Sequence, residues 1–225
     1  MPADSTGSHH RVGKKGLLAA LRERAQALGL LTGDGDVSLD QVFSLVRDMD
    51  YQWAISREPE DTISEWRGTC SGKHYLLKAL FEEMGHQAKL AMCPHWFTRE
   101  NTNGFPDDLT ELLAHGPVPD VHTFLRVNTG GIWTQMDATW PLWAEPLGLT
   151  VNHRFQAGVD MELACHPEEF LEAPAGEDPH RFKEQIIESF CGPSSPTRGR
   201  FIQGLANWLA QNTPKIASIA DNKGN

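Results

Sequence analysis

The chain is 225 residues long, 40% apolar and 22% charged, and its 20 basic against 30 acidic residues give a formal net charge of −10. Folding at this length buries a full hydrophobic core without disulfides or structural metal, which excludes the disordered and fibrous classes. The acidic balance and scattered basic residues argue against nucleic acid or anionic membranes as partners, and no window approaches the roughly 18 apolar residues of a membrane span.

Residues 1–12 are polar and lack the apolar stretch of a secretory leader, so they are expected to be disordered and the protein cytoplasmic. The fold is expected to occupy 13–212 as a single domain, with a helical extension from about 150 and a flexible tail over 213–225. Cys70, Cys93, Cys165 and Cys191 are widely spaced without a CxxC pair and read as reduced thiols.

The first helix is expected over 14–28, where Leu17, Leu18, Leu21, Ala25 and Leu28 share helical spacing and Gly29 supplies a left-handed C-terminal turn. Gly33-Asp34-Gly35-Asp36 is a loop with too few acidic ligands for calcium. Ser38 with Gln41 forms a capping box opening a second helix through Met49. An irregular stretch follows around 57–60. Over 69–84, Leu76, Leu77, Leu80, Phe81 and Met84 form one apolar stripe closed by Gly85, which puts Cys70 at a helix N-terminus.

A short strand is expected over 87–92 and a long polar loop over 94–119. The segments 121–127 and 132–137 alternate as strands, joined by the turn residues Asn128-Thr129-Gly130-Gly131. Further helices are expected near 167–172, 179–190 and 197–210.

Pairing Val127 with Ile132 across that turn sets His122 directly opposite Asp137 on one face, close enough for an imidazole–carboxylate hydrogen bond. A carboxylate so placed fixes the tautomer of a histidine that can deprotonate a nucleophile. Cys70 is the candidate nucleophile, because the helix N-terminus and a neighbouring imidazolium both favour thiolate. Its backbone N–H is a natural oxyanion donor, and the small residues Gly68 and Gly72 leave room for a substrate carbonyl.

Arg67-Gly68-Thr69-Cys70-Ser71-Gly72-Lys73-His74, then Val121-His122-Thr123-Phe124, then Trp133-Thr134-Gln135-Met136-Asp137-Ala138-Thr139-Trp140, together resemble the transglutaminase-like cysteine enzymes. The resemblance spans roughly 40–145 and implies an α+β, papain-like core, with the nucleophile helix packed on an antiparallel sheet and flanking N- and C-terminal helices. By resemblance Cys70 is the nucleophile, His122 the base and acid, and Asp137 its orienter. The implied chemistry is acyl transfer from, or hydrolysis of, an amide in a small molecule or peptide, through a Cys70 thioester and without cofactor or metal. Transfer onto an amine and a non-catalytic module of the same fold are the alternatives.

The long 94–119 stretch and the region after 150 lie outside the shared pattern, so the resemblance does not name the substrate. It suggests a second oxyanion donor upstream, for which Gln52, Trp53 and Trp66 are the available groups. His74 is expected to support the site rather than replace His122. Arg126 and Gln135 are either substrate contacts or solvated neighbours, and Trp133, Trp140 and Trp143 either line a cleft or fill the core. Polar Arg126 and Gln135 favour a small amide over protein crosslinking. Cys93, His95, Cys165 and His166 lack the paired spacing of a zinc site, and the thiols are expected to be ordinary.

Overall fold

The structure is a computed structural model that describes residues 16–33, 35–174, 176–192 and 196–214. The segment 1–12, Asp34 and the tail from 215 lie outside the described residues. Among the described residues the architecture is α+β: seven α-helices and a four-stranded antiparallel sheet whose strands, numbered along the chain, lie in the order third, second, first, fourth. No helix among the described residues is long and apolar enough to cross a membrane.

Helix α1 (Leu17–Ala27) ends at Leu28, and Gly29 takes the left-handed turn with φ of 71°. Helix α2 (Leu39–Arg47) opens on the capping box, with Ser38 Oγ accepting from Gln41 N–H at 3.2 Å and Gln41 Oε1 accepting from Ser38 N–H at 2.9 Å. The stretch expected to be irregular contains helix α3 (Pro59–Glu65). Its sequence carries the signals: Pro59 stands where no N–H is needed, and Glu60 and Asp61 complement the positive helix end. Helix α4 (Cys70–Glu83) buries Leu76, Leu77, Leu80 and Phe81 completely, each burial worth about 1.5–3 kcal/mol.

Strand β1 (Gln87–Phe97) runs five residues beyond the expected end at 92. Pro94 is tolerated within it because its carbonyl, the group proline keeps, accepts from Glu168 N–H at 2.9 Å. The expected loop over 94–119 is therefore the end of β1, helix α5 (Asp107–Leu112), a 3₁₀ turn (Leu113–His115) and the start of β2 (Val118–Thr129). Leu109 and Leu113 bury against Phe201, Leu205 and Leu209 of the C-terminal helix, a long-range contact that local polarity concealed.

Strand β3 (Ile132–Met136) corrects the expected register. Gly130 and Gly131, with φ of 64° and 90°, form the two-residue turn, so Thr129 opposes Ile132 and Val127 opposes Thr134. The slip is two residues, and since side chains alternate with a period of two, it leaves each residue on the face assigned to it.

The chain over 150–170 is extended and irregular rather than helical, and the helix expected at 167–172 is replaced by the short strand β4 (Leu171–Glu172). Hydrogen bonding along the β1 edge overrides local propensity: Pro167 bridges to His95, and β4 pairs with Ala91 and Met92. Helices α6 (Pro179–Cys191) and α7 (Pro196–Asn212) then cover the sheet, α6 through Ile186 against Met92 and Val121. The main core lies between α1, α2, α4 and the sheet, and a second core joins α5 and α7 to Tyr51 and Trp140.

Candidate active site

Cys70 is the first residue of α4 because Thr69 is extended (φ −77°, ψ −179°), and the Thr69 side chain makes no capping bond to the first-turn amides. The glycines flanking Cys70 serve packing rather than substrate access. A Cβ on Gly68 would lie 3.2 Å from Thr62 Cγ2 and one on Gly72 would lie 3.3 Å from Thr62 Oγ1, so both permit close approach to α3.

The structure brings Cys70, His122 and Asp137 together. His122 Nε2 donates to Asp137 Oδ2 at 2.8 Å, which leaves Nδ1 as the ring nitrogen for the Cys70 thiol, whose ionisation His122 favours. Asp137 is held from every side. Oδ2 also accepts from Ala164 N–H at 2.8 Å, Oδ1 accepts from Thr139 N–H at 3.0 Å, and its carbonyl accepts from Asn152 Nδ2 at 3.0 Å. Burial opposes its charge, but His122 and these donors hold the carboxyl well below its usual range. Burial would likewise push His122 down, yet Asp137 and Cys70 hold it well above the ordinary imidazole value.

The group that the sequence reading missed is Lys183 on α6. Its Nζ donates to Ser71 Oγ at 2.8 Å and Thr123 Oγ1 at 3.0 Å and lies 3.7 Å from Cys70 Sγ. Burial raises the Cys70 thiol, but Lys183 and then His122 outweigh it and bring the thiol down to about 6. No local signal distinguishes Lys183 from other lysines on an amphipathic helix; only the docking of α6 places it there.

Of the three upstream candidates, Gln52 accepts from Arg67 Nη1 at 3.4 Å, Trp53 is 41% exposed, and Trp66 lies in the main core. The neighbour Tyr51 is the group beside Cys70: burial pushes its pKa well above the usual value, and Cys70 is among the groups acting on it. Tyr51 packs on Trp140 with ring centroids 4.6 Å apart.

His74 ties α4 to the Asp137 loop. Its Nε2 accepts from Ala138 N–H at 2.9 Å, so its Nδ1–H donates to the Cys70 carbonyl at 2.7 Å. Burial pushes it down to about 4, which keeps it neutral. His95 is also pushed by burial down to about 4 and packs edge-on to His122 at 6.5 Å.

Arg126 pairs with Glu172 at 2.7 Å, and Gln135 Nε2 donates to the Met161 carbonyl at 2.8 Å, so both side chains hold neighbouring chain. Trp133 lies under Lys89 and Arg126, and Trp143 packs on the second core. Gln135, Trp140 and His95 also line a cavity of about 350 Å³ together with Phe97, Phe105 and Cys165. Cys93 and Cys165 are free thiols whose sulfurs lie within hydrogen-bond distance, 3.4 Å apart. Among the described residues no three His, Cys, Asp or Glu side chains cluster as metal ligands.

With the thiol at about 6, alkylation of Cys70 by iodoacetamide should rise through a midpoint near pH 6 rather than near the ~8.5 of a free cysteine. Mass mapping across pH 4–9 checks it. Labelling of Cys93, Cys165 or Cys191 at comparable rates at pH 6 would refute the assignment.

Acid should also loosen the fold. His74 and His95 titrate near 4 folded and near 6.5 unfolded, so the unfolded chain binds more protons between these values and stability falls as pH drops through them. Each lowers stability by on the order of 3 kcal/mol once pH is below 4. Denaturant midpoints measured from pH 7 to 4 should fall steeply, and His74→Gln, which can still donate and accept, should show a shallower slope.

No protein-family model matches the chain, and no curated protein matches its sequence.

Proposed function

We propose that the protein is a transglutaminase-like cysteine enzyme with a papain-like core that hydrolyses an amide, or transfers its acyl group, through a Cys70 thioester. The observation carrying this reading is the position of His122 between Asp137, at 2.8 Å, and the helix-N-terminal Cys70 thiol. A buried imidazole held by a carboxylate against a thiol of pKa about 6 is a formed thiolate–imidazolium pair at neutral pH.

In the proposed reaction the Cys70 thiolate attacks the acyl carbon, a C–S bond forms, and the carbonyl electrons move to oxygen. The Tyr51 hydroxyl, beside the Cys70 backbone, is the donor proposed for that oxyanion. As the tetrahedral species collapses, the C–N bond breaks and the His122 imidazolium gives its proton to the leaving amine. Neutral His122 then takes a proton from water as it attacks the thioester. The C–S bond breaks, and the acid leaves with thiolate and imidazolium restored. Asp137 keeps His122 in the tautomer that both steps need.

The substrate in this reading is a small amide or short peptide, and the space offered to it is a cavity of about 350 Å³ lined by His95, whose ring lies 6.5 Å from that of His122, with Cys70, His122 and Asp137 outside its lining. Arg126 and Gln135, whose polar groups are engaged within the protein, do not bear on the choice between a small amide and protein crosslinking. The four free cysteines fit a reducing compartment such as the cytoplasm.

A screen of small amides and peptides tests the reading. Cys70→Ala should abolish turnover with the fold intact, and Asp137→Asn should lower the rate by up to ~10⁴. Turnover by Cys70→Ala would refute the reading. If a fluorescent primary amine is incorporated into a glutamine-containing protein faster than free acid is released, transfer replaces hydrolysis.

Loss of one oxyanion donor costs ~10²–10³ in kcat. Tyr51→Phe should therefore lower kcat by that factor while leaving the Cys70 alkylation midpoint below 7.

A further inference from the structure

Lys183 is nearly fully buried, at 5% exposure, on a helix that lies outside the stretch resembling known cysteine enzymes. A lysine ammonium has three hydrogens, and three atoms face it: Ser71 Oγ at 2.8 Å, Thr123 Oγ1 at 3.0 Å and Cys70 Sγ at 3.7 Å. The first two are neutral oxygens on α4 and β2 that fix its position. The third is the reacting atom of the proposed mechanism, and no carboxylate is hydrogen-bonded to the Nζ in the described structure.

We infer that Lys183 is a catalytic cation that holds Cys70 as thiolate independently of His122 and receives it again as the leaving group. The inference rests on the proposed acyl transfer for its second half. In the proposed reaction the His122 charge comes and goes as the imidazole passes protons. Lys183 supplies a charge that does not take part in the proton transfers. In deacylation the C–S bond breaks and its electron pair returns to sulfur, and the ammonium stabilises that charge as it develops while His122 carries the water proton.

The charged and titratable groups around the thiol come from every element packed on it. His122 and Asp120 lie on β2, Asp137 follows β3, His74 is on α4, Tyr51 follows α2 and Lys183 is on α6. Asp120 opposes thiolate but is itself paired with Arg198 of α7 at 3.0 Å. His74 and Tyr51 are neutral, so Lys183 and His122 are the cations acting on sulfur.

The test is the ionisation of Cys70 in full-length protein, read from the pH dependence of iodoacetamide alkylation and of thiolate absorbance. Lys183→Met removes the charge and keeps the stem, and Ser71 Oγ and Thr123 Oγ1, already 3.3 Å apart, can bond each other in its place. Lys183→Gln removes the charge and keeps a donor for both hydroxyls. Either folded variant should show the Cys70 midpoint raised by at least one pH unit, with alkylation at pH 6 slowed at least about fivefold. Where an amide substrate has been found, kcat should fall with KM little changed.

A folded variant with an unmoved midpoint overturns the inference, because a packing lysine would alter stability and leave the titration alone. Failure of both variants to fold also counts against it. The titration needs no substrate: a wild type inert towards every amide would remove the proposed reaction while a raised midpoint still supports the cation. Turnover with an unmoved midpoint would remove only the role of Lys183.

Discussion

A carboxylate with almost no access to water must have its charge answered by protein, and Asp137 imposes that requirement on everything around it. At 2% exposure it takes His122 and the Ala164 N–H on one oxygen and the Thr139 N–H on the other. Each of these partners commits a different piece of chain. His122 belongs to β2, Thr139 to the turn leaving β3, and Ala164 to the irregular segment that crosses the site. Replacing the carboxylate would orphan several buried donors at once, each loss costing roughly 1–3 kcal/mol.

The same requirement explains His74 and the crossing segment. His74 bridges the Cys70 carbonyl and the Ala138 N–H, locking the start of α4 to the residue after Asp137. The segment is fastened at Asn152, which bonds the Asp137 and Glu162 carbonyls, and at Pro167, which bridges to His95. It is further held by buried Arg47, whose guanidinium donates to the Asn152 carbonyl at 3.1 Å. Lys73 adds a second tie, donating to the Arg47 and Thr139 carbonyls, and burial pushes it down to about 7. Hydrogen bonds to backbone, rather than regular secondary structure, order this part of the chain.

Around the thiol the charges alternate in sign. Thiolate, Asp137 and Asp120 face His122, Lys183 and Arg198, which come from β2, α6 and α7. Buried charges persist when they are paired and hydrogen-bonded, so this cluster couples the two C-terminal helices to the site. Those helices are thus part of the candidate site's electrostatics as well as its cover.

Local pattern alone was enough for the capping box at Ser38 and Gln41, the apolar stripe of α4 that puts Cys70 at a helix start, and the alternation that puts His122 and Asp137 on one face. These features depend on the period of a helix or strand, which neighbouring residues carry. Even the misjudged hairpin register preserved the His122–Asp137 pair, because a two-residue slip conserves the face. Helix α3 was legible too, in Pro59 and the acids after it, and was missed. Tertiary structure alone decided the rest. β4 forms because the β1 edge needs hydrogen-bond partners, and α5 forms where Leu109 and Leu113 meet α7, more than 80 residues away in sequence. Lys183 reaches Cys70, and Cys165 reaches Cys93, across gaps of 113 and 72 residues. Periodicity carries no information across such separations, since what fixes those contacts is the burial and pairing of groups that meet only once the chain has folded.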